Sequence, residues 1–165
     1  MTKKKTRESI HPGTTIGHVH LKVSDIERSL SFYRDILGFV VTSRRGDEAV
    51  FLSAGGYHHH IGLNTWESKG GKAPLPRNTG LYHFAILFPN RKELAQALKR
   101  LQDHNWPLDG AADHGVSEAI YLKDPDGNGI ELYRDRPKTE WPADSEDNIV
   151  MFAKYLDIDN LLKEL

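Results

Sequence analysis

The sequence predicts an α+β protein built from two βαβββ modules that together form a curved mixed sheet around a cleft. Three observations support this prediction: an alternating hydrophobic strand begins each half, a helix-spaced apolar pattern follows it, and short paired strands complete it. The modules are expected at about residues 16–65 and 81–135, with a Gly-, Pro- and Lys-containing linker at 66–80. One module alone would leave a sheet face uncovered, so both are expected in one domain spanning 14–137.

The first module begins with the alternating segment at 16–23. Its side chains are expected to divide between two faces, with Val19, Leu21 and Val23 on one and His18, His20 and Lys22 on the other. Ser24 and Asp25 are N-cap candidates for the helix that follows, and Gly38 marks its end. Three short strands are expected next, at 39–45, 48–55 and 57–65.

The second module repeats this order. Its first strand, within 81–88, alternates with Phe84, Ile86 and Phe88 on one face and His83, Ala85 and Leu87 on the other. Pro89 and Asn90 open a helix over 91–104, and a DPDGNG turn then joins the last two strands at 119–124 and 129–135. His18 and His83 therefore occupy matching positions in the two halves.

The two ends of the chain differ from the modules. Residues 1–13 are basic and polar and are expected to form a flexible N-terminus. Residues 138–165 are expected to form a helical extension, with one amphipathic helix through Ile149, Phe152 and Leu156 and a short second helix capped by Asp157 or Asp159. The sequence leaves open whether this extension packs on its own domain or on a partner subunit.

Composition excludes several functions. Lys and Arg number 22 and Asp and Glu 23, so the net charge of -1 argues against broad nucleic-acid or anionic-membrane surfaces. The absence of cysteine excludes disulfides, thiol nucleophiles and thiolate metal sites. No signal peptide is visible, and no apolar run approaches the roughly 20 residues that cross a bilayer. A cytoplasmic protein is therefore expected.

Polar side chains on the strands suggest a metal site. By strand parity, His18, His20 and His83 share the face opposite the helices, and Glu131 faces the same way in the last strand. A carboxylate that faces inward requires a partner, since burying an unpaired charge costs several kcal/mol. One strand histidine is more often simply hydrogen-bonded. Two histidines at matched positions, together with a carboxylate, instead favour a facial triad of metal ligands. Such a triad suits Fe(II) or Mn(II) and leaves coordination positions open.

The segments GHVHLKVSDIERSLSFYRDILGF, GLYHFAI and YLKDPDGNGIELYRD resemble the vicinal oxygen chelate superfamily, which includes glyoxalases, bleomycin-resistance proteins and extradiol dioxygenases. Within it the chain is most similar to the type I extradiol, or catechol 2,3-, dioxygenases. The resemblance implies that the three ligands, His18, His83 and Glu131, hold Fe(II). It further implies an aromatic diol that chelates the metal through two oxygens, with O2 at the last position. Mn(II) suits the same donors.

The resemblance also implies further site residues. The dioxygenases carry an acid–base histidine in the context H-x-[ILT]-[AG]-[FL], which His59 matches. His58 and His60 are expected to point away from the cleft, although a one-residue bulge would exchange them with His59. Tyr121, ten positions before Glu131, matches a tyrosine that hydrogen-bonds a substrate oxygen.

His114 and His20 are expected to contribute to substrate binding. His114 lies in the loop before the strand of Tyr121, where the family places a histidine, and His20 faces the cleft by strand parity. Each also has an ordinary structural interpretation, as a hydrogen-bonded loop or strand residue. His11 and His104 are expected on the surface.

The chain departs from the two-domain dioxygenases in length, because those enzymes carry four modules and this chain carries two. Some two-module relatives complete their site by dimerisation, so a homodimer is expected. A glyoxalase-like lyase or isomerase would need a fourth ligand, and residues 57–65 contain no carboxylate. A fosfomycin-resistance-like transferase shares the triad, and a non-catalytic small-molecule binding protein would not need it. Both remain alternatives.

Overall fold

A computed structural model describes residues 9–75 and 77–165. Most of the expected flexible N-terminus, residues 1–8, lies outside them. The strands are β1 (Val19–Lys22), β2 (Val40–Arg45), β3 (Ala49–Ser53), β4 (Ile61–Asn64), β5 (Phe84–Leu87), β6 (Leu108–Asp113), β7 (Ser117–Lys123), β8 (Gly129–Asp135) and β9 (Lys154–Tyr155). The helices are α1 (Ile26–Leu30), α2 (Arg91–Asp103) and α3 (Ile158–Leu162), with a π-helical turn at Ser31–Ile36 and a 3₁₀ turn at Lys138–Glu140.

The strand order confirms the predicted duplication. The first sheet has the order β1-β4-β3-β2, and the second has β5-β8-β7-β6 with β9 added at its edge. In both sheets the first strand pairs in parallel with the fourth, and the other pairs of neighbours are antiparallel. The sequence led us to expect one curved sheet. The structure has two, because β1 and β5 flank a groove instead of pairing with each other.

The predicted strand faces are observed. In β1, Leu21 is buried while His20 is exposed, and in β5, Phe84 is buried while Leu87 is exposed. Successive side chains of a strand point to opposite faces, so the apolar set packs on the helices and the polar set faces away. This alternation places His18 and His83, each directly before its strand, on corresponding sides of the two modules.

Side chains of α1 and the π-helical turn tie the first module to the second. The buried Tyr33 hydroxyl donates to Asp124 Oδ2 at 2.8 Å, and Arg28 forms an ion pair with Asp126. The Phe32 ring lies 4.5 Å, centroid to centroid, from that of Trp106. Since Asp124 and Asp126 belong to the turn that leads into β8, these contacts fix the turn relative to the first module.

The predicted amphipathic helix through Ile149 and Phe152 is wrong. Asp144 accepts hydrogen bonds from the backbone N–H groups of Glu146 and Asn148, at 2.8 and 3.0 Å, and Asp147 has a φ of 60°. Such side-chain-to-backbone bonds stabilise a turn at the expense of a helix. The chain then continues without a helix into β9, which pairs with β6.

The short terminal helix is confirmed. Asp157 is its N-cap and accepts from the Asn160 N–H at 2.9 Å, while Leu161 is fully buried. Arg91 of α2 donates to Asn160 Oδ1 and pairs with Glu164 at 2.6 Å. The extension therefore packs on its own chain, against the second module.

No helix in the described part of the chain combines the length and the apolar character needed to cross a bilayer.

Candidate active site

One group of polar side chains is centred on Glu131 of β8. Glu131 lies opposite Tyr121 of β7 and Ala85 of β5 in the register of the sheet. Its Oε2 is 3.0 Å from His83 Nε2, and its Oε1 is 3.1 Å from the Tyr121 hydroxyl. The side chain of Glu131 is only 14% exposed. The predicted ligands His83 and Glu131 are thus brought together, with the predicted substrate-binding tyrosine on the other carboxylate oxygen.

His114 extends this group. Its Nε2 is 2.7 Å from the Tyr121 hydroxyl, and its Nδ1 is 2.8 Å from the carbonyl oxygen of Phe152. Burial, and then the nearby Glu131 carboxylate, raise the pKa of Tyr121 to about 12. Tyr121 is therefore a neutral phenol at pH 7 and keeps its proton for a hydrogen bond.

The second group is formed by histidines of the first module. His18 directly precedes β1, and its ring centroid is 4.4 Å from that of His59. His59 Nδ1 lies 2.7 Å from His58 Nδ1. Desolvation and, next, the His18 imidazole lower the pKa of His59, so its ring is neutral at pH 7 and can accept a proton.

The three consecutive histidines differ in their surroundings. They precede β4, which begins at Ile61, so the expected strand at 57–65 is shorter than predicted. His60 Nδ1 is 3.1 Å from Ser53 Oγ, and His58 stacks on Tyr57 at a centroid distance of 4.1 Å. Of the three, His59 is the one beside His18. His60, which was expected to point away from the cleft, lines the groove.

His20 lies on the same side of the first sheet, beyond His18. Its ring packs against Phe51 and Trp66, with centroid distances of 5.8 and 5.6 Å. A Cβ atom placed on Gly62 would come within 2.9 Å of the His20 ring. His20 therefore covers the part of β4 where Gly62 lies and leaves no room there for a larger side chain without movement of the ring.

A groove with a volume of about 880 Å³ separates β1 from β5. His18 and His83 both line it. Its other lining residues are mainly apolar and include Ile16, Val19, Leu37, Phe39, Leu81, Phe84, Ile86, Leu87 and Phe88. Among residues 9–75 and 77–165, no three His, Asp or Glu side chains converge closely enough to hold one metal ion. The predicted ligands thus form a pair on the second module, with the third on the first module across the groove.

The two histidines expected on the surface are exposed and make local contacts. His11 Nδ1 accepts from the Gly13 N–H at 3.1 Å, and His104 Nδ1 lies 2.8 Å from the Arg100 carbonyl. Sequence reasoning missed the Phe152 carbonyl beside His114. A backbone atom carries no residue-type signal, and the predicted helix would have placed it elsewhere.

Asp113, next to His114, belongs to an ionic network that borders the second module. Burial opposes its ionisation, but the Gly115 N–H at 2.8 Å and the Arg136 guanidinium at 2.8 Å outweigh burial and lower the pKa of Asp113. Arg136 also pairs with the buried Glu118. These bonds fix the turn that carries His114.

Comparison with known proteins adds to this geometry. The model of the Glyoxalase/Bleomycin resistance protein/Dioxygenase superfamily matches residues 15–132. The chain is 48% identical over 158 residues to a catechol-2,3-dioxygenase of Bacillus subtilis, with 94% of this chain and 54% of that protein covered. It is 31% identical to biphenyl-2,3-diol 1,2-dioxygenase 3 of Rhodococcus globerulus, covering 80% of this chain and 68% of the relative.

Solved structures share the fold. A glyoxalase/dioxygenase from Nostoc punctiforme superimposes with a TM-score of 0.62 at 19% identity, covering 80% of this chain and 99% of that one. The chain spans about half the length of the Bacillus catechol-2,3-dioxygenase.

Proposed function

The chain belongs to the Glyoxalase/Bleomycin resistance protein/Dioxygenase superfamily, and on that premise we propose that it is an extradiol dioxygenase that cleaves the ring of a catechol-type aromatic diol with O2. The observation that carries the proposal is the contact of His83 Nε2 with Glu131 Oε2 at 3.0 Å, with the Tyr121 hydroxyl on the other carboxylate oxygen. The similarity of the chain to a catechol-2,3-dioxygenase and to a biphenyl-2,3-diol 1,2-dioxygenase supports the same activity.

The chemistry of the donors suits a divalent iron site. His83 Nε2 lies 3.0 Å from Glu131 Oε2. His18, which lines the facing wall of the groove, would supply the second imidazole to the pair of a partner subunit, since no three such side chains converge within the described part of the chain. Two imidazoles and a carboxylate are typical ligands of non-haem Fe(II), and Mn(II) accepts the same donors. When bound, the metal would acidify the diol hydroxyls and supply the redox centre that O2 requires.

The remaining side chains can handle protons and orient the diol. When His59 Nδ1 donates to His58 Nδ1, the Nε2 of His59 is free to accept a diol proton and return it during ring opening. The lowered pKa of His59 keeps the ring in the basic form at neutral pH. The Tyr121 oxygen would accept a hydrogen bond from a diol hydroxyl, His114 would orient Tyr121 through their 2.7 Å contact, and His20 would form part of the pocket wall.

The structure favours an open three-ligand site over a four-ligand lyase site. Gly62 occupies in β4 the position that Glu131 occupies in β8: Gly62 lies opposite Phe51 and His20, as Glu131 lies opposite Tyr121 and Ala85. A carboxylate ligand at that position is thus replaced by a glycine covered by an imidazole. A fosfomycin-resistance-like transferase would use the same three ligands, and the O2-uptake assay described below distinguishes it from a dioxygenase.

We further propose that the active form is a homodimer in which a second copy lies along the groove. Large apolar side chains on the groove walls are exposed, with Ile16 at 92% and Leu81 at 65%. Docking a second copy would bury this surface and could bring its His83–Glu131 pair to His18. Sedimentation equilibrium of the wild type and of Leu81→Asp tests this: a wild-type dimer that the aspartate dissociates is expected, and a wild-type monomer with full activity would refute it.

The decisive assay is O2 uptake by anaerobically Fe(II)-loaded protein given catechol, 3-methylcatechol or 2,3-dihydroxybiphenyl, with the yellow ring-cleavage product followed optically. Uptake matched by product, abolished in Glu131→Ala and retained in the surface control His104→Ala, is expected. Bound metal without uptake on any of the three diols would refute the dioxygenase and favour the lyase or transferase alternatives.

A further inference from the structure

The C-terminal extension contacts the candidate site through backbone atoms. The Phe152 carbonyl lies 2.8 Å from His114 Nδ1, and the Phe152 N–H donates to the His114 carbonyl at 3.3 Å. Two hydrogen bonds thus join one residue of the extension to the histidine that contacts Tyr121.

These contacts determine where the protons lie. A carbonyl oxygen only accepts, so the His114 Nδ1 must carry a hydrogen to bond with Phe152. In a neutral imidazole the other nitrogen, Nε2, is then an acceptor. The Tyr121 hydroxyl has one proton and two acceptors in reach, His114 Nε2 at 2.7 Å and Glu131 Oε1 at 3.1 Å. A fixed Nδ1–H tautomer makes His114 Nε2 an acceptor for this proton, and this contact is the shorter of the two.

The extension is anchored on both sides of Phe152. Before it, the Val150 N–H donates to the Pro142 carbonyl at 2.8 Å, and after it, β9 pairs with β6. The Phe152 ring covers Gly115, where a Cβ atom would come within 2.7 Å of the ring. Gly115 has a φ of 79°, which also favours glycine at this position. The Phe152 carbonyl is therefore held in place by its own segment.

We propose that segment 150–156 is a positioning element of the site: through the Phe152 carbonyl it fixes His114 as the Nδ1–H tautomer, so that Tyr121 donates to His114 and both oxygens of Glu131 stay available as ligands. The role of those oxygens rests on the proposed function, whereas the tautomer does not. Outer hydrogen-bond partners of this kind change metal affinity by about 10- to 100-fold when they are lost.

The test is nuclear magnetic resonance of full-length, metal-free protein labelled with 15N in its histidines. Two-bond 1H–15N correlations at alkaline pH distinguish the two neutral tautomers, and His114→Gln identifies the His114 signals by their loss. The wild type should show the Nδ1–H pattern. Phe152→Ala, which uncovers Gly115 and loosens the segment, should give a mixture of tautomers, and Phe152→Leu should restore the wild-type pattern.

A matched control and a second readout complete the experiment. Met151→Ala changes a neighbouring side chain that is 65% exposed and should leave the tautomer unchanged. Mn(II) titration followed by electron paramagnetic resonance should show about 10-fold weaker binding in Phe152→Ala than in Met151→Ala. An Nε2–H pattern in the wild type, or an unchanged tautomer in a folded Phe152→Ala, would overturn the proposal.

The two proposals can fail separately. The tautomer is measured without metal or substrate, so an Nδ1–H ring in a protein that takes up no O2 supports the positioning element and refutes the dioxygenase. An active dioxygenase whose His114 carries its proton on Nε2 supports the proposed function and refutes the positioning element.

Discussion

Removing one buried hydroxyl should show how strongly the two modules are tied together. Tyr33→Phe deletes the hydrogen bond to Asp124, whose carboxylate is buried at the start of the turn before β8. Burial, and then the Asp124 carboxylate, raise the pKa of Tyr33 well above its usual range, so the hydroxyl is a permanent donor. A hydrogen bond to a charged group contributes about 1.5–3 kcal/mol.

The lower end of that range applies here. Asp124 keeps three other donors after the substitution, namely the Asp126 N–H at 2.9 Å and the backbone and side-chain N–H groups of Asn128 at 2.8 Å. The carboxylate is therefore not left unpaired, and the free energy of unfolding should fall by about 1.5 kcal/mol. In a domain of this size the melting temperature should drop by about 3–6 °C.

Urea denaturation followed by circular dichroism measures this change, with Tyr155→Phe as the control because the Tyr155 side chain is 80% exposed. The control should match the wild type, and the slope against urea should stay constant in both variants. A Tyr33→Phe protein within about 0.5 kcal/mol of the control would show that the hydroxyl does not tie the modules together.

Three further predictions concern the site and its border. His18→Ala, His83→Ala and Glu131→Ala should each lose the bound divalent metal, measured by mass spectrometry of the metal content; full metal in any of them removes that residue from the ligand set. His59→Phe should keep the metal and lower the turnover number by about 100-fold or more, and unchanged turnover would refute its acid–base role. The lowered folded-state pKa of Asp113 stabilises the fold above its unfolded pKa of about 4, and this contribution is lost as pH falls through the folded value. Urea unfolding should therefore show Asp113→Asn less stable than the wild type at neutral pH, with the gap closing as the pH falls from the unfolded pKa through the lowered folded value. A gap independent of pH would exclude the charge as its cause.

Strand faces could be predicted from the sequence because side chains alternate with a period of two along a strand. The buried Leu21 and Phe84 and the exposed His20 follow from that rule alone. The duplicated order of strands followed from the repetition of the same pattern. The separation into two sheets could not be predicted. The pattern indicates which strands belong to a module, but it does not indicate how the edges of β1 and β5 meet.

The extension shows where periodic reasoning fails. Ile149 and Phe152 have helical spacing, yet the Asp144 turn and pairing with β6 stabilise an extended chain. The Asp144 turn is a local polar signal outside the apolar pattern, and the pairing with β6 involves backbone atoms of distant residues, which that pattern cannot report. For the same reason the contact between Phe152 and His114 could not be predicted, although His114 itself was singled out.

The two modules share a topology and differ in what equivalent positions hold. Where the second sheet has Glu131 opposite Tyr121, the first has Gly62 opposite Phe51. The carboxylate and the phenol therefore stand on one module only. The first module has the Phe51 ring and the glycine covered by His20 at the same positions, and its His59 is a neutral base beside His18, which lines the groove. In a ring-cleaving dioxygenase this division would let one module hold the anionic ligand and the other move protons. A second carboxylate at position 62 would compete for the position that O2 needs, so the loss of one carboxylate from a duplicated site is itself a condition for the proposed chemistry.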